Sequence, residues 1–83
     1  MQIEPDALSN AEVYKLLTGI VVPRPIAWVT TMSGEKLTNA APFSAFTFVS
    51  NKPPMVGISI GRYLGGFKDT ARNIRESQEF VVN

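Results

Sequence analysis

The sequence contains no cysteine and no histidine. Without cysteine there is no disulfide framework, thiolate zinc site, iron–sulfur cluster or thiol nucleophile. Without histidine the usual general base, the Ser–His–Asp relay and the commonest metal ligand are excluded. Demanding chemistry must then come from carboxylates, lysine, tyrosine or a bound cofactor. The chain also lacks a long apolar run of the roughly 18 residues that a bilayer-spanning helix needs. Residues 1–20 carry Glu4 and Asp6 and no apolar core, so they do not read as a signal peptide, and a cytoplasmic location without membrane contact is expected. Nor is there a charge excess of one sign. Eight Lys+Arg against seven Asp+Glu leave a net charge of +1, too balanced for a dedicated nucleic-acid binder.

What is present is apolar: 45% of the 83 residues are hydrophobic and 10% aromatic. The length lies below the roughly 100–150 residues typical of a domain. Such a chain is either compact and core-rich or part of something larger.

Ser9-Asn10-Ala11-Glu12 has the form of a capping box, and Val13, Leu16 and Leu17 follow at helical spacing. A helix over 10–18 is expected, stopped by Gly19. Pro23 and Pro25 favour extended backbone, and 26–32 then reads as a strand apolar on both faces, with Trp28 in the core. Ser33-Gly34-Glu35-Lys36 is a turn into a second strand, which Pro42 interrupts as a bulge, an edge or a bend and which resumes over 45–50. Asn51-Lys52-Pro53-Pro54 is a further turn. In the third strand, 55–61, Val56, Ile58 and Ile60 form one face, and Gly57, Ser59 and Gly61 form a nearly bare one. Leu64-Gly65-Gly66 reads as a flexible link. A helix over 68–76 follows, with Asp69 or Thr70 as N-cap and Phe67, Ala71 and Ile74 as its apolar stripe, and then the start of a last strand at Glu79–Asn83. The order α-β-β-β-α-β, joined mostly by hairpins, predicts a mainly β fold, a small barrel with flanking helices.

Two groups of residues have the composition of a site. Around Asn39, Ala40, Ala41, Pro42, Phe43 and Ser44, small residues would let a planar ring approach, while Asn and Ser offer hydrogen bonds. The same string also suits a β-bulge turning a barrel corner. Ser59, Gly61 and Arg62 lead to Lys68, Asp69 and Thr70 at the start of the second helix, where free amides, the helix dipole and two cations favour a phosphate. An ordinary capped helix with surface cations has the same composition, and no Walker or dinucleotide glycine motif is present. Thr30 and Thr31 close the first strand, either as ligand donors or as satisfied β-formers. No isolated carboxylate pair suggests acid–base catalysis, and no metal site is expected.

Pro23-Arg24-Pro25-Ile26-Ala27-Trp28-Val29-Thr30-Thr31, Asn39-Ala40-Ala41-Pro42-Phe43-Ser44-Ala45-Phe46, Pro53-Pro54, Lys68-Asp69-Thr70-Ala71-Arg72-Asn73-Ile74 and Glu79-Phe80-Val81-Val82-Asn83 occur in this order. Together they resemble the flavin reductase-like family of FMN-binding split barrels. The resemblance implies FMN held non-covalently at a homodimer interface, with NAD(P)H as the expected electron donor. It places Asn39 through Ser44 on the isoalloxazine and ribityl groups, Thr30 and Thr31 along the same pocket, and Arg62, Lys68 and Thr70 toward the phosphate. Members of the family are roughly twice this length, so residues 1–83 are expected to be the N-terminal part of one such domain, its barrel incomplete. The implied activity is electron transfer through FMN to a flavin or another acceptor. A flavoredoxin-like carrier and a ligand-free assembly fragment are the alternatives.

Overall fold

A computed structural model describes residues 2–83. After a single 3-10 turn at Pro5–Ala7 comes helix α1, Asn10–Ile20. Its capping box is complete: the Glu12 N–H donates to Ser9 Oγ at 3.2 Å, and the Ser9 N–H donates to Glu12 Oε2 at 2.7 Å. Gly19 does not stop this helix but lies within its last turn. The end is made by Arg24, whose guanidinium donates to the carbonyls of Thr18 at 2.9 Å and Val21 at 2.7 Å, satisfying acceptors that a helix terminus leaves free.

Strands β1 (Ala27–Met32) and β2 (Thr38–Phe43) pair antiparallel in unbroken register from Ala27 opposite Phe43 to Met32 opposite Thr38. Their turn is closed by Lys36 donating its N–H to the Ser33 carbonyl at 2.8 Å, with Lys36 itself at φ 64°. Pro42 stays in the ladder opposite Trp28 because β2 is an edge strand, where a missing N–H is tolerated. The expected second strand is in fact two. Beyond Ser44 and Ala45 the chain leaves this sheet as β3 (Phe46–Asn51), which pairs with β4 (Pro54–Ile58). The bulge lies here, between Phe48 and Ser50, and not at Pro42.

Leu64-Gly65 is not a flexible link. It is the two-residue turn of a hairpin between β5 (Arg62–Tyr63) and β6 (Gly66–Phe67). Both turn residues have positive φ, 48° and 78°, as the tight turn that matches strand twist requires. Helix α2, Asp69–Ser77, follows directly. Finally β7 (Val81–Val82) returns antiparallel to β1, making β1 the centre of the order β2-β1-β7. The Asn83 side chain extends this pairing, donating to the Trp28 carbonyl at 3.0 Å.

The fold is mainly β with two helices, and among the described residues its three sheets do not close a barrel. Strand β1 is buried on one face only. Ala27, Val29 and Thr31 lie beneath α2, while Trp28, expected in the core, is 48% exposed with Met32 on the opposite face. Ala27 and Val29 are the only fully buried apolar side chains among the described residues. The radius of gyration, 15.2 Å, exceeds the roughly 12 Å of a compact chain of this length. The described residues are therefore not core-rich. They form an extended layer, 49 × 34 × 19 Å, whose apolar faces remain largely open.

Candidate functional site

Where α2 crosses β1 and β2, buried polar side chains lie beside the apolar Ala27 and Val29. Thr70 and Asn73, one helical turn apart, are the buried residues of α2. Thr31 and Asn39 face each other across the β1–β2 ladder. The two pairs interlock. Asn39 Nδ2 donates to Thr70 Oγ1 at 3.0 Å, and Asn73 Nδ2 donates to Thr31 Oγ1 at 3.1 Å.

Beside this seam opens a cleft of about 420 Å³. One wall is β2, with Asn39, Ala41, Pro42 and Phe43, and the small Ala41 side chain leaves this wall shallow. The opposite wall is the start of α2, with Lys68, Asp69 and Thr70. The first bond of the helical ladder runs from the Arg72 N–H to the Lys68 carbonyl at 3.0 Å. The N–H groups of Asp69, Thr70 and Ala71 therefore precede the ladder. Lys68, not Asp69 or Thr70, holds the N-cap position, and its side chain caps none of them. Two of these residues, Asp69 and Thr70, line the cleft with Lys68, so free amides and a lysine stand together there, the arrangement that favours an anion at a helix start. The carboxylate of Asp69 is engaged by Arg72 at 2.6 Å.

Tyr63 and Phe67 complete the lining. Neither stood out in the sequence as a site residue, because both flank what read as a link. The available signal was Leu64-Gly65, a pair able to form a tight turn, which folds Tyr63 and Phe67 back to the same edge of the cleft.

The remaining candidates stand elsewhere. Thr31 is buried under α2 and engaged by Asn73. Thr30 accepts from Asn83 Nδ2 at 3.3 Å, in the β1–β7 pairing. Ala40 is exposed on the other side of β2, and Ser44 lies in the bend after it. Ser59 is tied to the Ala45 carbonyl through its N–H at 2.9 Å, beyond the end of β4. The bare face holds only in part. A Cβ at Gly61 would meet nothing within 4 Å, but one at Gly57 would lie 3.1 Å from Val49 Cγ2, which already fills that space. Arg62 is separated from Lys68 by Phe67. Its guanidinium lies 5.2 Å from the centre of that ring, and that of Arg75 lies 4.6 Å away. Both arginines line a second, mostly apolar cleft of about 520 Å³ with Ile58, Ile60 and Ile74. Among the described residues no cluster of Asp and Glu is placed to hold a metal, and no helix is long and apolar enough to cross a membrane.

Residues 19–83 match the model of the flavin reductase like domain. An uncharacterised protein of Halalkalibacterium halodurans is 54% identical over 84 residues, covering 100% of this chain and 40% of its own. The uncharacterised YwrF of Bacillus subtilis is 54% identical over 80 residues, covering 96% and 39%. Among solved structures, nitrilotriacetate monooxygenase component B from Bacillus cereus superposes with a TM-score of 0.91 at 44% identity, covering 99% of this chain and 41% of that one. The 2-nitrobenzoate 2-nitroreductase NbaA of Pseudomonas fluorescens gives 0.85 at 44% identity, covering 100% and 40%. The chain thus spans about two fifths of the relatives it matches. A match over most of its length, joined to a mainly β fold with the same course as these structures, means that the chain belongs to the flavin reductase-like family.

Proposed function

We propose that this chain provides the flavin-binding part of an FMN-dependent oxidoreductase, which passes electrons from NAD(P)H to a second flavin or another acceptor. The observation that carries the reading is the cleft between β2 and α2, where Lys68 and the residues Asp69 and Thr70, whose amides precede the helical ladder, stand beside a shallow wall. Its residues fit FMN. The volume of about 420 Å³ falls within the roughly 300–1,000 Å³ of small-molecule pockets. The ammonium and amides suit a phosphate, the Asn39 amide suits a polar ring edge or ribityl hydroxyl, and Ala41 with Tyr63 and Phe67 suits a flat ring.

In this reading Lys68 and the α2 amides hold the phosphate, and β2 orients the ring. Bound there, FMN supplies the electron-transfer chemistry for which the chain, without His or Cys, has no side chain of its own. Arg72 pairs with the Asp69 carboxylate and offsets part of its negative charge beside the anion. The exposed Trp28 and Met32 give the sheet an apolar face for a second copy, in line with a homodimer. A cytoplasmic location completes the proposal.

The test is a flavin fluorescence titration of the protein and two variants. Loss of a charge-assisted hydrogen bond in Lys68→Ala is expected to weaken FMN binding roughly tenfold. Lys36→Ala, in the β1–β2 turn away from the cleft, is expected to leave it within about twofold. Equal effects would reject the phosphate assignment. Stopped-flow mixing with NADH and NADPH then decides the donor. Rapid bleaching of the bound flavin supports a reductase, and none supports a carrier.

A further inference from the structure

We infer that Thr31 and Asn73, together with Asn39 and Thr70, form a polar clamp that sets the position of Lys68 over the cleft. The inference rests on the reading of that cleft as a flavin phosphate site. Thr31 and Asn73 are positioning residues in it and touch no ligand.

The argument begins with how α2 is held. A helix is usually seated by an apolar stripe, which fixes its distance from a sheet but tolerates sliding and rotation. The fully buried side chains of α2 are instead Thr70 and Asn73. Each makes one directional bond to the sheet, and the two bonds run in opposite senses. The strand residue Asn39 donates to the helix, and the helix residue Asn73 donates to the strand. The anchors on the sheet are cross-strand partners, and those on the helix are one turn apart. Two such bonds define both the rotation of α2 about its axis and its register along the sheet. Lys68 sits two residues before the first anchor, at the end of α2 that borders the cleft.

Asn73 shows that this seam is not arranged for stability alone. It is 1% exposed, and its Oδ1 has no hydrogen-bond partner among the described residues. A buried acceptor left unpaired is costly, and an apolar side chain of similar volume would avoid that cost. What the amide adds is direction.

Phosphate-dependent binding provides the test. FMN and riboflavin differ only by the phosphate, so the ratio of their dissociation constants reads the Lys68 end of the cleft. Both ligands report on the same folded fraction, so the ratio is insensitive to a general loss of stability. Titrations by flavin fluorescence are made on Lys68→Ala, Asn73→Leu, Thr31→Val and Thr31→Ser. Lys68→Ala is expected to reduce the preference for FMN roughly tenfold. Asn73→Leu and Thr31→Val are expected to reduce it roughly three- to tenfold with riboflavin affinity unchanged, and Thr31→Ser, which keeps the hydroxyl, to hold it within about twofold.

If Lys68→Ala reduces the preference but Asn73→Leu and Thr31→Val leave it as in the parent, the clamp is rejected and the phosphate site stands. If they weaken both flavins equally, the seam is structural only and the inference fails. If Lys68→Ala itself leaves the preference unchanged, the phosphate reading falls, and the clamp's role with it. Should Asn73→Leu not fold, the Thr31→Val and Thr31→Ser pair decides alone.

Discussion

The two helices of this chain are held in opposite ways. Helix α1 is built from its own neighbours in sequence. Ser9 and Glu12 close its start, Arg24 closes its end, and Tyr14, Leu17 and Ile20 remain exposed. Helix α2 has no side-chain cap at its start, yet it is tied to the sheet by residues 31 and 42 positions away. The candidate cleft belongs to the second helix. A site assembled from a strand and a helix start needs a fixed relation between them, which a local cap does not provide and a cross-sheet bond does.

The sharpest way to break this comparison is to cut one tertiary bond. Thr70→Val keeps the shape of the side chain and removes the hydroxyl that accepts from Asn39. An amide donor left without its partner is expected to cost about 1–3 kcal/mol. The loss should appear by hydrogen exchange as faster exchange of the Arg72 N–H and its neighbours in α2, with the Val13 N–H of α1 unchanged. Equal acceleration in both helices would mean that they open as one unit and that the contrast between them is only apparent.

The converse experiment has a smaller effect. Ser9→Ala removes the cap acceptor of α1 and is expected to cost about 1 kcal/mol, felt only at that helix. Exchange should quicken at Glu12 and Val13 and stay constant at Arg72. A response in α2 would show that α1 supports the cleft through contacts other than its own hydrogen bonds.

The same contrast explains what could be read from the sequence. The capping box, the Ser33–Lys36 turn and the Asn51–Pro54 turn are local chemistry, and each was found where expected. The burial of β1 departs from the expectation of burial on both faces, because apolar side chains on both faces do not say which face α2 will cover, and Trp28 is on the uncovered one. The second strand was read as interrupted by Pro42, but the break comes two residues later, where the chain changes sheets. That depends on which strand is available to pair, a property of the whole sheet. Of the candidate residues, Asn39, Ala41, Pro42, Phe43, Lys68, Asp69 and Thr70 meet at one cleft, because β2 and the start of α2 each carry a short contiguous signal. The sequence does not mark Asn73 as a site residue, because an asparagine inside a helix has the composition of a solvated polar face until a strand is laid against it.

A last distinction lies within α2 itself. Asp69 and Arg72 are joined at 2.6 Å across one turn, but their side chains are 64% and 53% exposed. An exposed pair of this kind contributes little, because solvent screens it and two long side chains lose freedom to form it. Asp69→Asn is therefore expected to change stability by no more than about 0.5 kcal/mol, far less than Thr70→Val. Its effect on binding should have the opposite sign. Asp69 lines the cleft beside Lys68, and Arg72 offsets only part of its charge, so removing that charge relieves repulsion of an anion, and FMN affinity should rise roughly two- to threefold at low salt. Near 0.1 M salt, where screening acts over about 10 Å, most of that gain should vanish. A fall in FMN affinity would instead show that the carboxylate holds Arg72 or a ligand group in place. Asp69 would then join the buried seam as a residue that positions the cleft, and the division between exposed and buried bonds in α2 would no longer separate the dispensable from the required.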